Sequence, residues 1–240
     1  MGMDALFFGA HPDDVELTSG GLAALLASHG HRVAVVDLTR GEAASRGTPE
    51  ERAVEAQAAS RALGVAAREN LGLPDLGLER TRRDQLEAVV NCIRRHRPML
   101  VVAQDPDDEH PDHVEASHLV ERACYVAGLA RAVPGEGRHR PGRVLRALYR
   151  TGARPQLVVD VSAVWERRMA ALRCHGSQLD PARGPATYLT ADGFLDAVEA
   201  RARAWGSLIG ARFGEAFRAR GPLAVRDARA LLEPAAETIP

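Results

Sequence analysis

The sequence predicts a single Rossmann-like α/β domain over residues 1–240, with a mostly parallel sheet and helices on both faces. Three observations point there. Short apolar runs alternate with longer helix-period segments, in the order strand, helix, strand, helix, strand, helix, strand. A length of 240 residues suits one large α/β domain whose core needs no staples. The hydrophobic and charged fractions, 45% and 26%, are those of an ordinary globular protein.

In chain order, Ala5-Leu6-Phe7-Phe8-Gly9 has the length and bounding of a buried strand. Residues 18–29 read as one helix with Leu22, Leu25 and Leu26 on a single face and Gly30 as its stop. Gly20-Gly21 near its start admit a ligand, another backbone or the sheet at close range. The second strand is 32–39. After a polar loop at 40–47, Thr48-Pro49-Glu50-Glu51 combines an N-cap, Pro at the first helical position and Glu at the third. That helix stops at Gly64. A short third strand covers 70–74. Residues 81–96 are helical, with Leu86, Val89, Val90 and Ile93 as the apolar stripe, and Pro98 restarts the chain into a fourth strand at Met99. Another helix, beginning at Pro111, continues to about Gly128. The Gly/Pro/Arg loop at 134–142 is expected to be mobile and surface-exposed. Strands at 144–149 and 156–161 and helices at 162–174 and 191–208 complete the order.

In a doubly wound order 3-2-1-4-5 the first and fourth strands are neighbours where the order reverses, and ligands bind beyond their carboxyl ends. The two most chemically loaded stretches follow those strands. They are Ala10-His11-Pro12-Asp13-Asp14-Val15-Glu16 and His110-Pro111-Asp112-His113. A dinucleotide fold would carry G-x-G-x-x-G in the first loop. This chain has acids there, which would repel a pyrophosphate, so NAD is excluded.

Catalytic Zn²⁺ takes three protein ligands from His and Asp/Glu and keeps one position for water. His11, Asp14 and His113 supply that set, and Asp13 is left beside the metal as a base. Fe²⁺ or another divalent metal suits the same donors. His110, on the same side of the first helical turn as His113, can meet a developing oxyanion, and Asp112 can orient one of the imidazoles. Each motif alone also has a plain reading: a turn whose Asp caps a helix, and a solvated helix start. Their joint placement favours the metal. Asp105, Asp107, Asp108 and Glu109 are expected to form a solvated acidic loop. His29, His31, His96, His118, His139 and His175 lack evident carboxylate partners and are expected on the surface or in the core. Arg40, Arg46 and Arg52 follow the second strand on the side of the site. Arg52 either forks onto a substrate carboxylate or phosphate or pairs with Glu51 or Glu55 on its own helix.

Composition removes other classes. A net charge of −1 argues against a general nucleic-acid or membrane-surface binder. No apolar run reaches the ~18 residues that span a bilayer and no signal peptide leads the chain, so the cytoplasm is the expected compartment. Cys92, Cys124 and Cys174 form no C-x-x-C pair and suit reduced thiols. All 31 basic residues are arginine, which excludes Schiff-base and P-loop lysine chemistry. No G-x-S-x-G is present for a serine hydrolase. Two rivals stay open. A non-haem Fe(II) oxygenase uses two histidines and a carboxylate, usually on a barrel. A non-catalytic module with a structural metal is the other, against which the unliganded Asp13 speaks.

These residues resemble the LmbE/PIG-L family of zinc-dependent N-deacetylases, whose signatures A-H-P-D-D-x-E and H-P-D-H stand intact at 10–16 and 110–113. Further segments are similar to the branch that deacetylates N-acetylglucosaminyl malate in bacillithiol biosynthesis. They are Arg40-Gly41-Glu42, Ser45, Gly47-Thr48, Glu51-Arg52, Leu71-Gly72-Leu73-Pro74-Asp75, Gly206 to Gly210 and Gly214-Glu215-Ala216-Phe217, so the resemblance runs to about Leu223. It implies one Zn²⁺ per chain on His11, Asp14 and His113, with Asp13 as general base. It also implies that His110, supported by Asp112, assists the tetrahedral intermediate and that Arg52 touches substrate. The implied substrate is a small amino-sugar conjugate, the malate first. A mycothiol precursor, a chitooligosaccharide or a thiol-conjugate amide comes next. The implied assembly is a homo-oligomer, hexameric in many relatives. Phe213 stands where many relatives have Tyr, so no phenol is expected at that position.

Overall fold

A computed structural model describes residues 2–150 and 152–222; the tail after Pro222, including Leu223, lies outside them. Seven strands form one sheet in the order β3-β2-β1-β4-β5-β7-β6. They are β1 (Ala5–Gly9), β2 (Val33–Thr39), β3 (Ala67–Leu73), β4 (Leu100–Gln104), β5 (Arg143–Ala147), β6 (Leu157–Asp160) and β7 (Gly214–Ala219). The first five in that order are parallel, as expected from the alternation. The sheet then continues with β7, antiparallel to both β5 and β6. β7 has no counterpart in the sequence reading, because Glu215 and Arg218 interrupt its apolar pattern.

Strand periodicity sorts the core. Leu6 and Phe8, with Val36, Leu38 and Val101, face α4 (Arg83–His96) and α5 (Pro111–Ala127). Ala5 and Phe7, with Val33, Val35 and Val102, face Leu22 and Ala23 of α2 (Gly20–Ser28). Outside α2, residues of α3 (Pro49–Leu63), α6 (Trp165–Arg173) and α8 (Phe194–Ser207) pack around Trp165. The Trp165 ring stacks on Phe213 at 4.2 Å. Thr48 caps α3, accepting from the Glu51 N–H at 3.2 Å, and Gly64 ends it with φ 77°. No helix among the described residues is long and apolar enough to cross a membrane.

The helix expected at 18–29 is α2, and a short helix that the sequence reading did not single out precedes it. α1 (Asp14–Thr18) starts inside the first signature, and Ser19, which is not helical, separates the two. The break lets a distant carboxylate cap α2: Glu215 accepts from the Gly21 N–H at 2.7 Å and the Leu22 N–H at 2.8 Å. A Cβ on residue 21 would lie 2.7 Å from Glu215 Oε1, so this glycine makes room for a side chain of β7. The loop at 134–142 has no regular structure and is tied down by the His139 ring on the Pro98 carbonyl, 2.7 Å.

Beneath the carboxyl end of the sheet, Arg68 on β3 bonds Glu16 at 2.6 Å and Asp37 at 2.8 Å, and His175 Nε2 lies 3.4 Å from Glu16. His175 is thus a wholly buried histidine with a carboxylate beside it. Burial opposes the Glu16 charge, but Arg68 and His175 outweigh it and hold the carboxyl at about 2 against an ordinary 4.5. A depressed folded-state value means that this stabilisation is complete above ~4.5 and is lost as pH falls toward 2. Glu16→Gln should therefore cost about 3 kcal/mol at neutral pH, at the low end for a broken buried pair because Asp37 stays on Arg68. The gap from wild type should narrow through the acid limb, which urea unfolding midpoints will report.

Candidate metal centre

β1 and β4 end side by side, and Gln104 of β4 ties the two ends by accepting from the Ala10 N–H at 3.0 Å. At Gly9 a Cβ would sit 3.0 Å from both Asp14 Cβ and the His11 carbonyl oxygen, so the chain turns back tightly. Asp13 takes φ 126°, a conformation that costs a non-glycine residue ~1–3 kcal/mol. The surroundings hold it there. Asp14 Oδ2 accepts from the His11 N–H at 2.7 Å, and Thr39 Oγ1 donates to the Ala10 carbonyl at 2.9 Å. Arg52 Nη2 donates to the Pro12 carbonyl at 2.7 Å. Asp13 stands at the N-cap position of α1 yet makes no capping bond, so the plain helix-cap reading does not describe its side chain.

Arg52 does not pair within its own helix. Glu51 and Glu55 both pair with Arg183 instead. The Arg52 guanidinium is buried against the loop, with Nη1 3.3 Å from the Gly41 carbonyl and Nη2 3.5 Å from Asp13 Oδ2. Both terminal nitrogens are engaged by the chain, while Nε has no hydrogen-bond partner among the described residues and Arg52 lines the cavity beside the site. Arg46 is buried too, its Nε on the Ser177 carbonyl at 2.8 Å, and Arg40 is exposed.

The second signature begins α5. His110 is its N-cap, with Nδ1 accepting from the Asp112 N–H at 3.2 Å. The loop before it is only partly the solvated acidic stretch expected, with Asp107 and Glu109 exposed but the other two acids engaged. Asp105 is buried against Arg218 at 2.8 Å, and Asp108 Oδ2 lies 3.1 Å from His113 Nδ1. The Asp112 carboxylate turns away from His110. It accepts from the Leu76 N–H at 2.7 Å and lies 3.5 Å from His11 Nε2.

All six residues of the two signatures singled out for chemistry therefore meet at one end of the sheet. Asp14 bridges the imidazoles, with Oδ1 3.2 Å from His113 Nε2 and Oδ2 3.5 Å from His11 Nδ1. Asp75, whose chemistry the sequence did not reveal, lies 2.9 Å from His11 Nε2. A carboxylate thus stands behind each of these rings, Asp75 and Asp112 for His11 and Asp108 for His113. The nitrogens toward Asp14 are left to a metal, the usual carboxylate–histidine–metal arrangement. One donor each from His11, His110 and His113 also falls within 4.8 Å of the others, but the helix cap occupies His110 Nδ1.

The electrostatics match. Burial opposes charge on His11, yet Asp112, Asp14 and Asp75 raise it to about 12. His113 is likewise raised to about 10 against its burial by Asp14 and Asp108. Burial would raise Asp14, but His113 and His11 hold it well below the usual carboxylate range. Burial and the neighbouring His113 and His11 lower His110, which stays neutral; since its Nδ1 accepts, its proton belongs on Nε2. Burial pushes Asp13 up, with Arg52 opposing. Asp13, Asp14, Asp75, Asp108 and Asp112 surround three imidazoles, with Arg52 as the nearby arginine, an excess of negative charge that fits a divalent cation with N/O ligands. A cavity of about 1230 Å³ opens from these residues to a wall carrying Tyr149, Arg150, Gln178, Tyr188 and Arg201. Phe213 is in the core on Trp165, so the phenols of the cavity are Tyr149 and Tyr188.

Residues 6–124 match the family model described as PIG-L, GlcNAc-PI de-N-acetylase. The chain is 32% identical over 230 residues to the 1D-myo-inositol 2-acetamido-2-deoxy-alpha-D-glucopyranoside deacetylase of Mycobacterium sp. (strain KMS), covering 74% of each. It is 32% identical over 186 residues to the diacetylchitobiose deacetylase of Thermococcus kodakarensis, covering 70% of this chain and 67% of that one. A 4-oxalmesaconate hydratase of Pseudomonas putida is 28% identical over 198 residues, covering 72% and 73%. Among solved structures, the conserved protein TT1542 of Thermus thermophilus superposes with a TM-score of 0.84 at 36% identity, over 93% of this chain and 97% of that one.

If the carboxylates behind the rings orient them for a metal, Asp75→Asn and Asp108→Asn should each weaken divalent-metal affinity by about 10–100-fold. His11→Ala and His113→Ala should abolish binding at this site. Metal titration of the four variants measures both.

Proposed function

The chain belongs to the PIG-L family of de-N-acetylases, and on that footing we propose that it hydrolyses the acetamide of an N-acetylglucosamine conjugate. The observation that carries this reading is Asp13: a buried carboxylate, free of any capping role, raised by burial and held by Arg52 beside the His11, Asp14 and His113 donors. A divalent metal bound by those three would lower the pKa of a water toward ~7 and polarise the acetamide carbonyl. Asp13 takes the proton of the attacking water and returns it to the departing amine. His110, neutral and protonated on Nε2, donates to the developing oxyanion. Asp112 and Asp75 keep His11 in place while charge builds.

The deacetylase and hydratase relatives favour neither an oxygenase nor a purely structural metal module. The hydratase relative supports one rival, hydration, in which the same base would act. Among aglycones, malate was the expectation from sequence, whereas the deacetylase relatives are named for an inositol conjugate and for chitobiose. Support for an acidic aglycone comes from two arginines of the cavity, Arg52 beside the site and Arg201 on the far wall. Arg201 stacks over Tyr149 at 3.9 Å, and its Nη2 has no hydrogen-bond partner among the described residues. A homo-oligomer, hexamer included, belongs to the same proposal and is read from the mass in solution.

The test is acetate and free-amine release from N-acetylglucosaminyl malate, the inositol conjugate and diacetylchitobiose by the Zn²⁺-loaded protein. Release from none of them would overturn the reading in favour of hydration. Asp13→Asn should retain metal while kcat falls by about 10²–10⁴. Arg201→Ala should lower kcat/KM on the malate by about tenfold or more, the worth of a hydrogen bond to a charged group, and leave the inositol conjugate unchanged. Equal losses on both substrates would assign Arg201 to the fold.

A further inference from the structure

A second set of metal-ligating side chains converges far from the signatures. Glu69 on β3 and Cys92 and His96 on α4 each offer a donor within 4.8 Å of the other two. Glu69 Oε1 accepts from Cys92 Sγ at 3.0 Å, and Oε2 lies 3.2 Å from His96 Nε2, so His96 has a carboxylate partner where the sequence suggested none. Cys92 and His96 are four residues apart, one turn, and therefore share a face of α4. Glu69 meets that face from the edge strand of the sheet. We propose that Glu69, Cys92 and His96 form a second cation site, selective for Zn²⁺ or a similar borderline-soft divalent ion.

A tetrahedral zinc with Zn–S ~2.3 Å and Zn–N or Zn–O ~2.0–2.1 Å has ligand–ligand edges of about 3.3–3.6 Å. The Cys92 and His96 contacts to Glu69 use its two different oxygens, and one donor from each residue lies within 4.8 Å of the others, so the three side chains close around the ion by about 1 Å or less. A thiolate, an imidazole and a carboxylate together select zinc over magnesium or calcium. Cys92 is fully buried while Glu69 and His96 are half-buried, which leaves the open side of the set toward solvent for a water as fourth ligand. Binding replaces the S–H···O bond with two bonds to the cation and releases the thiol proton to solvent, one per metal. Without metal the thiol keeps that proton, because burial and the Glu69 charge push it up. Arg95, 2.7 Å from Glu69 Oε1, competes only as a half-exposed ion pair, which is weak. Such a pair alone accounts for Glu69, Arg95 and His96, but it gives a buried thiol no role.

The full chain, stripped and reloaded with Co²⁺, tests the site without reference to acetamide hydrolysis. Wild type should take up two equivalents and the His11→Ala/His113→Ala double variant one. That remaining equivalent should show thiolate-to-cobalt charge-transfer absorption, which a site of nitrogen and oxygen ligands cannot give. Cys92→Ser should remove the band. His96→Gln, a half-buried position where the fold is safe, should remove the second equivalent. Both variants should leave the catalytic rate of the zinc-loaded enzyme unchanged. A single equivalent in wild type, no band in the double variant, or a band that survives Cys92→Ser would each overturn the proposal.

Discussion

Everything near the signatures answers to one constraint, the crowding of carboxylates at the end of β1 and β4. A lone carboxylate buried there would take up a proton. Asp14 stays ionised because His11 and His113 flank it, and those rings in turn stay put because Asp75, Asp112 and Asp108 stand behind them. The pairing runs across the β1–β4 seam, so the strand order is itself part of the electrostatics. A divalent metal held by His11, Asp14 and His113 would complete this arrangement by replacing ring protons with a compact double charge.

Asp13 differs from its neighbours in having no imidazole of its own. Its backbone is strained and its side chain pairs with Arg52 at 3.5 Å. Strain at a carboxylate that caps nothing is what a loop looks like when it is shaped for the position of one side chain. Arg52 serves that loop twice, through the Pro12 carbonyl and through charge, and so stabilises both the conformation and the ionised form of the residue it touches.

What the sequence made legible was local or followed from strand order. Thr48, Pro49 and Gly64 bound α3 because caps are chemistry within a few residues. His11, Asp14 and His113 could be brought together on paper because parallel strands put their carboxyl ends on one side. Asp75 could not, since only the path of residues 74–78 across β1 sends it to His11. Its one clue was its place just past the end of a third strand. Asp108 was hidden in a run of acids that reads like any solvated loop. The anchoring of Arg52 was hidden because its partners, the carbonyls of Pro12 and Gly41, are backbone groups that carry no mark in a sequence. The break at Ser19 and the strand β7 were missed together, for they are one feature: Glu215 explains why a helix can restart at Gly20.

That feature has a bearing on how the chain is made. The carboxylate on the Gly21 amide comes from a residue 194 positions later. At ~5–20 residues per second, a ribosome needs roughly 10–40 s to deliver it. Through that interval the amides at the start of α2 have only water to bond. β6, which among the described residues pairs with β7 alone, likewise has no strand partner until the same residues emerge. The parallel half of the sheet can assemble early, but the helix beneath the loop of the first signature is completed by one of the last pieces of the fold to be synthesised.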